Sequence, residues 1–348
     1  MLIPLTRADI GDQEIRAVVK VLRSGWLTMG VETQALEQEF AHYVGAPYAV
    51  AVNSATAALF LSLKALGVGS GDEVILPSFT FTSTASVVVH CGATPVFVDI
   101  RPDDFTMDQV SMERAITRRT KAIIPVHYAG NRAMISTKIP VIEDSAHYIP
   151  KRGNNCRAFA CCYSFYATKN MTTGEGGMIT VTNKRFADWL KIARLHGLSR
   201  DAWKRYGIKG SVGTYTIEFP GWKSNTTDIN AALGRVQLRR LDNFQKKRCA
   251  IVALYNKLLG LQRVGTHLYP VLVNDRDKFW QLMNSRGVGC SVHFVPLHLQ
   301  PAYKKYKTTN LPVTEYVGAH VISLPLDAVI TNAEVRTIVQ LVQPWLIR

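Results

Sequence analysis

The chain has 348 residues, 47% of them hydrophobic and 19% charged. That length accommodates two domains and a large core that depends on neither disulfides nor metals. Lysine and arginine outnumber the acids 41 to 26, a net charge of +15. The basic residues are spread along the chain, apart from clumps such as Lys246, Lys247, Arg248 and Lys304, Lys305. With no basic arm and no aromatic-basic interleaving, this excludes nucleic acid as the primary partner and suits phosphate-bearing ligands. Cys91, Cys156, Cys161, Cys162, Cys249 and Cys290 form no Cys-x-x-Cys pair and have no histidines at zinc-finger spacing, which predicts reduced thiols and no metal site. No secretory signal opens the chain, and no apolar run reaches about 18 residues, so a cytoplasmic protein that does not span a membrane is expected.

Ile15, Val18, Val19 and Leu22 fall on one helix face, and Gly25 stops that helix. Leu36, Phe40, Tyr43 and Val44 mark a second helix, ended by Gly45. A short apolar run, Tyr48 to Val52, leads into Asn53-Ser54-Ala55-Thr56-Ala57-Ala58-Leu59 and a helical stretch to Leu66. Apolar runs follow at 74–77, 95–99, 122–126 and 140–144, each ending in polar residues. Strands of a mainly parallel sheet, buried on both faces, read this way. A long helix starts near Thr227 and passes Leu241. A helix near Asp277 to Ser285, a strand from Ser291 to Val295, and a capping box at Thr331 and Glu334 complete a smaller αβ unit. The spacing places a domain change near residue 245, giving a large domain over 1–245 and a small one over 246–348.

Three segments carry chemistry. In Asn53 to Leu59 a strand gives way to a helix, and small residues and free N–H groups there attract an anion; taken alone, Ser54 and Thr56 read more readily as plain caps. In Val141-Ile142-Glu143-Asp144-Ser145-Ala146-His147, Asp144 ends an apolar strand, where ligands of such sheets bind. A carboxylate there can hold a pyridinium nitrogen protonated, and His147 lies three residues on. In Ser164-Phe165-Tyr166-Ala167-Thr168-Lys169-Asn170, followed by Gly174-Glu175-Gly176-Gly177, a lysine sits between an aromatic-rich strand and a glycine turn. Partial desolvation there makes its amine nucleophilic. Together the three meet the needs of pyridoxal 5'-phosphate (PLP): anchor the phosphate, protonate the ring, bind the aldehyde.

From about Ile3 to Val342 the chain resembles the DegT/DnrJ/EryC1/StrS sugar aminotransferases. The resemblance rests on Ser24-Gly25-Trp26-Leu27-Thr28, Asn53 to Leu59, Pro77-Ser78-Phe79-Thr80-Phe81, Gly92 to Asp99, Val141 to His147, Ser164 to Gly177, Thr227 to Gly234 and Val292 to His298. It implies the type I PLP aminotransferase fold, an α/β architecture: a mainly parallel mixed sheet flanked by helices in a large domain, with a smaller C-terminal αβ domain. It also implies roles. Lys169 is the Schiff-base lysine and the acid/base. Asp144 partners the pyridine nitrogen, and His147 neighbours the phenolic oxygen. Phe81 stacks on the ring. Ala55, Thr56 and Ser164 hold the phosphate, joined by Lys223 from the neighbouring subunit of a homodimer with shared active sites. Thr28, His293 and His298 are placed toward substrate; for the two histidines an ordinary structural role is as good a reading.

A lysine at 169 matches the aminotransferase branch, since relatives that remove a sugar hydroxyl carry histidine there. The implied reaction is ping-pong: an amino acid, glutamate in this family, loads the cofactor as pyridoxamine phosphate, and a nucleotide-linked keto sugar, a 4-keto-6-deoxyhexose, takes the amine. That belongs to deoxyamino sugar and polysaccharide biosynthesis. Arg200-Asp201-Ala202-Trp203 and Gly221 to Leu233 lean toward amination at C4. Two alternatives stay open: an aminotransferase acting on another ketone such as a cyclitol, and a non-catalytic regulatory protein on the same scaffold. The chain departs from the family at Gly130 to Ile139, where ten residues replace a crossover helix, and at Tyr148 to Cys161, also short.

Overall fold

The computed structural model describes residues 2–151, 158–199 and 215–347. They form two compact units, one from Met1–Asp9, Ser70–Pro140 and Asp242–Arg348, the other from Ile10–Gly69 and Val141–Leu241.

The second unit holds a four-stranded sheet of β1 (Tyr48–Val52), β5 (Ile142–Asp144), β6 (Ala160–Ser164) and β7 (Gly177–Val181), in the order β1-β7-β6-β5. β5 and β6 run parallel, and β7 is antiparallel to both β6 and β1. Helices α1 (Asp12–Ser24), α2 (Val31–Val44), α3 (Ala55–Ala65) and α6 (Lys184–Ala193) belong to this unit. The core gathers Leu36, Phe40 and Val44 of α2 with Ala49 and Ala51 of β1, Tyr163, Phe165 and Met178. Phe40 is fully buried and meets Tyr163 and Phe165 edge-on, with ring centroids 5.0 and 5.4 Å apart. Its replacement by alanine leaves a cavity under β6. Phe40→Ala is expected to lower unfolding stability by about 3–5 kcal/mol, read as a shift of the urea midpoint.

The first unit holds a parallel three-stranded sheet of β2 (Glu73–Pro77), β3 (Thr94–Val98) and β4 (Thr120–Ile123), ordered β3-β2-β4, with α4 (Thr82–His90) and α5 (Gln109–Ala115). All five residues of β2 are buried, which is why Val74 to Pro77 reads as one unbroken apolar run. A second core surrounds the antiparallel pair β8 (Tyr269–Leu272) and β9 (Val321–Leu324). The helices here are α8 (Arg276–Ser285), α9 (Pro312–His320) and α10 (Asn332–Val342). The helix α7 (Asp228–Leu259) contributes its first turns to the second unit and the remainder to the first.

Most expected elements are present. Gly25 ends α1 in the left-handed conformation (φ 73°), which costs glycine nothing, and Thr331 and Glu334 form the capping box of α10. The stripe Ile15, Val18, Val19, Leu22 lies on α1 as expected; Ile15 and Leu22 are 55% and 50% exposed, whereas Glu14 and Val21 are buried. The Glu14 carboxylate turns α1 by accepting from Gln237 Nε2 at 2.9 Å, Arg240 Nη1 at 2.5 Å and the Gly11 N–H at 3.0 Å. One expectation is corrected: Ser291 to Val295 is not a strand, and Ser291 makes one isolated bridge, to Ser323. The His293 carbonyl accepts from the Tyr128 hydroxyl at 2.6 Å instead of entering a ladder. Cys91, Cys162, Cys249 and Cys290 are free thiols. Neighbouring side chains of a strand point to opposite faces, and Cys162 lies 3.4 Å from Ser62 Oγ.

The short connection after β4 is tight, as its length requires. Residues 131–141 contain no helix. The buried His127 ring accepts the Ala133 N–H at 3.1 Å, and the Pro140 carbonyl accepts the Ile123 N–H at 3.0 Å.

Candidate active site

Strand ends converge along one edge of the four-stranded sheet. β1 finishes there at Val52, β5 at Asp144 and β6 at Ser164, and β7 begins there at Gly177, paired with both Val52 and Ser164. This edge carries the three segments singled out in the sequence.

At the first, Ser54 caps α3 by accepting the Ala57 N–H at 3.1 Å. Ala55 and Thr56 occupy the first helical turn, whose N–H groups have no carbonyl of a preceding turn to bond. Thr56 is exposed. Gly177 passes hard against this turn: a Cβ on it would stand 2.5 Å from the Ser54 carbonyl carbon and 2.8 Å from the Ala55 nitrogen. Only a residue with no side chain lets β7 hold the cradle so closely. The segment after Trp222 closes the other flank, since the Ser224 carbonyl accepts the Asn53 N–H at 2.8 Å and Trp222 meets Phe60 edge-on at 5.2 Å. Lys223 is exposed on that segment.

At the second, Asp144 is buried at the end of β5 and accepts the Ala146 N–H at 3.1 Å. The backbone continues from Asp144 with the Ser145 N–H donated to the Cys162 carbonyl at 2.8 Å, and the buried His147 follows. Ser164 is buried, its hydroxyl accepting the Tyr166 N–H at 3.3 Å.

At the third, Lys169 rides a loop closed at its base by Phe165, whose N–H bonds the Gly176 carbonyl and whose carbonyl takes the Thr173 N–H, both at 2.9 Å. Lys169 is partly exposed as a residue, yet protein encloses its amino group. Burial pushes the ammonium down to about 8, against the opposing pull of the Asp144 carboxylate. The lysine is therefore charged below that pH and sheds its proton as pH rises through it. In the cofactor-free protein, labelling of Lys169 by an amine-selective reagent is expected to reach half its maximal rate near pH 8; an ordinary exposed lysine would do so above 10.

The residues of this one edge supply a nucleophilic amine, a buried carboxylate and an anion cradle. The family model of the DegT/DnrJ/EryC1/StrS aminotransferases matches residues 8–343. The chain belongs to this family. It is 40% identical to the spore coat polysaccharide biosynthesis protein SpsC of Bacillus subtilis, over 98% of this chain and 96% of that one. It is 42% identical to the uncharacterized protein MJ1066 of Methanocaldococcus jannaschii, over 98% and 97%. Spr1654 of Streptococcus pneumoniae, assigned as a sugar aminotransferase, matches with a TM-score of 0.89 at 34% identity, covering 98% of each chain, in its PMP form. Its PLP form matches with a TM-score of 0.88. The protein is thus a PLP-dependent sugar aminotransferase with the type I fold.

PLP fits the residues present. Its phosphate suits the α3 N-terminus beside Gly177, its ring nitrogen a buried carboxylate, its aldehyde an amine of lowered basicity. Of the residues expected from sequence, Thr28, Ala55, Thr56, Asp144, His147, Ser164, Lys169 and Lys223 belong to the second unit. Thr28 is exposed and pairs with Thr227. Phe81, His293 and His298 belong to the first unit. Phe81 is 56% exposed at the start of α4, an open ring face on a rigid element, with Phe294 6.0 Å away. His293 Nδ1 lies 3.0 Å from Ser323 Oγ. His298 is held at both nitrogens, by Ser78 Oγ at 2.7 Å and Glu315 Oε1 at 3.3 Å. Arg200, Asp201, Ala202 and Trp203 lie outside the described residues. Sequence reasoning gave no role to Gly177; the glycine pair opening a strand straight after the lysine loop was the available signal.

Proposed function

We propose that this enzyme moves the amino group of glutamate onto a nucleotide-linked keto sugar, a 4-keto-6-deoxyhexose, in two half-reactions. The observation that carries the reading is the lowered basicity of Lys169, on the same sheet edge as the α3 cradle and Asp144. Similarity to SpsC supports a sugar substrate destined for a polysaccharide. The bound cofactor supplies an electron sink for the carbon that gains or loses its proton. Lys169 is the catalytic residue, the base and acid that moves that proton. Asp144 keeps a ring nitrogen charged, and His147 neighbours the ring's oxygen. Ala55, Thr56 and Ser164 hold the phosphate. Phe81 offers a stacking surface, and Thr28, His293 and His298 are assigned to substrate.

We also propose a cytoplasmic homodimer in which Lys223 reaches the partner's phosphate, with the smaller C-terminal lobe beginning near residue 246. The exposed α1 stripe, Ile15 and Leu22, supports a covering copy. No helix among the described residues is long and apolar enough to cross a membrane.

The test is incubation with glutamate and a panel of UDP-, dTDP- and GDP-linked keto sugars beside free cyclitol ketones, with mass spectrometry of the products. Amination confined to nucleotide sugars supports the reading. Amination of the free cyclitol alone moves the enzyme to that substrate class.

A further inference from the structure

We propose that Asn230, in the first turn of α7, is a positioning residue for Lys169. The proposal rests on reading Lys169 as the cofactor's lysine.

The start of α7 is fixed from below. Asp228 is buried, and its carboxylate accepts the Gly30 N–H at 2.7 Å, the Thr33 N–H at 3.0 Å and the Thr33 hydroxyl at 2.7 Å. It therefore caps α2 while opening α7, and the two helix ends share one frame. A Cβ on Gly30 would stand 2.7 Å from Asp228 Oδ2, so this seam has no slack.

Asn230 passes that frame on. Its N–H bonds Thr227 Oγ1 at 3.2 Å, and its Oδ1 accepts the Thr227 hydroxyl at 2.7 Å. With the oxygen so held, Nδ2 is directed to the Glu175 carbonyl, which it reaches at 2.6 Å. The same carbonyl accepts the Thr173 hydroxyl at 2.8 Å. The turn it belongs to has two jobs. Thr173 and Gly176 bond Phe165 and so close the base of the lysine loop, and Gly177 presses on the phosphate cradle. α7 lies flush behind it: a Cβ on Gly234 would stand 2.7 Å from Thr173 Cγ2. Asn230 is thus a peg between a fixed helix end and the backbone that sets the height of Lys169. Without it the turn relaxes, and the enclosure of the lysine amine loosens. Asp144, on β5, is the charged group acting on that amine, and it is untouched by the change.

The test compares wild type, Asn230→Ala and Asn230→Gln, all full-length. Two readouts are taken: the pH midpoint of Lys169 labelling in the cofactor-free protein, and PLP affinity by absorbance titration. For Asn230→Ala the midpoint is expected to rise from about 8 toward the ordinary lysine value. Its PLP affinity is expected to fall about fivefold, the worth of one neutral hydrogen bond of about 1 kcal/mol. Asn230→Gln keeps an amide donor and is expected to restore both. If Asn230→Ala lowers only the melting temperature, leaving midpoint and affinity at wild-type values, the residue is merely structural and the proposal is overturned. A wild-type protein that does not bind PLP, but whose labelling midpoint still moves on substitution, would overturn the cofactor's use of Lys169 and leave the positioning role standing.

Discussion

The Lys169→Ala variant is expected to lose covalent attachment of PLP and to turn over at least about 10⁴-fold more slowly than wild type, the upper end for a missing proton-transfer group compounded by a missing nucleophile. The amine sits at the tip of a loop pinned at Phe165, Thr173 and Gly176, and burial has already lowered its basicity to about 8. No solvent amine is held in that way. Steady-state transamination with glutamate measures the loss. Because the side chain leaves at a loop tip and the pins are backbone bonds, the variant is expected to keep the wild-type melting temperature, and the loss then belongs to chemistry.

Asp144→Asn carries the second large effect. The amide oxygen can still accept the Ala146 N–H now bonded at 3.1 Å, so the end of β5 keeps its shape. What disappears is the negative charge. Removing one preorganised electrostatic partner from an enclosed site lowers kcat by about 10²–10³-fold, and that loss is expected here. The charge also acts on Lys169, raising its basicity against the effect of burial. The sign follows: with the carboxylate gone, less remains to stabilise the ammonium, and the labelling midpoint of the cofactor-free variant should fall below about 8. A drop in kcat with an unmoved midpoint would mean that Asp144 does not face the lysine as the structure has it.

Much of this architecture could be read before any coordinates. β1, β2 and β3 announce themselves as apolar runs because nearly all their residues are buried, and Gly25, Gly45 and the Thr331–Glu334 pair mark helix ends by local chemistry alone. The lysine, carboxylate and cradle proposed for the site could be singled out because each follows a strand, where the sequence switches from apolar to polar. What was not legible depends on distant partners. The burial of Glu14 on α1 depends on Gln237 and Arg240, more than 220 residues away. The segment at 291–295 has strand composition, yet its backbone is spoken for by Tyr128 and Ser323. Gly177 and Asn230 stood inside motifs already noticed. Their work became visible only when β7 was seen against Ser54 and α7 against the Glu175 carbonyl.

The most direct test of the central claim is chemical trapping. The protein is incubated with PLP and reduced with borohydride, then digested and mapped by mass spectrometry. A phosphopyridoxyl group on the peptide containing Lys169, absent from the Lys169→Ala protein, is the predicted result. A stable adduct on a different lysine, or none in a protein that binds PLP, would contradict the assignment of this sheet edge as the active site.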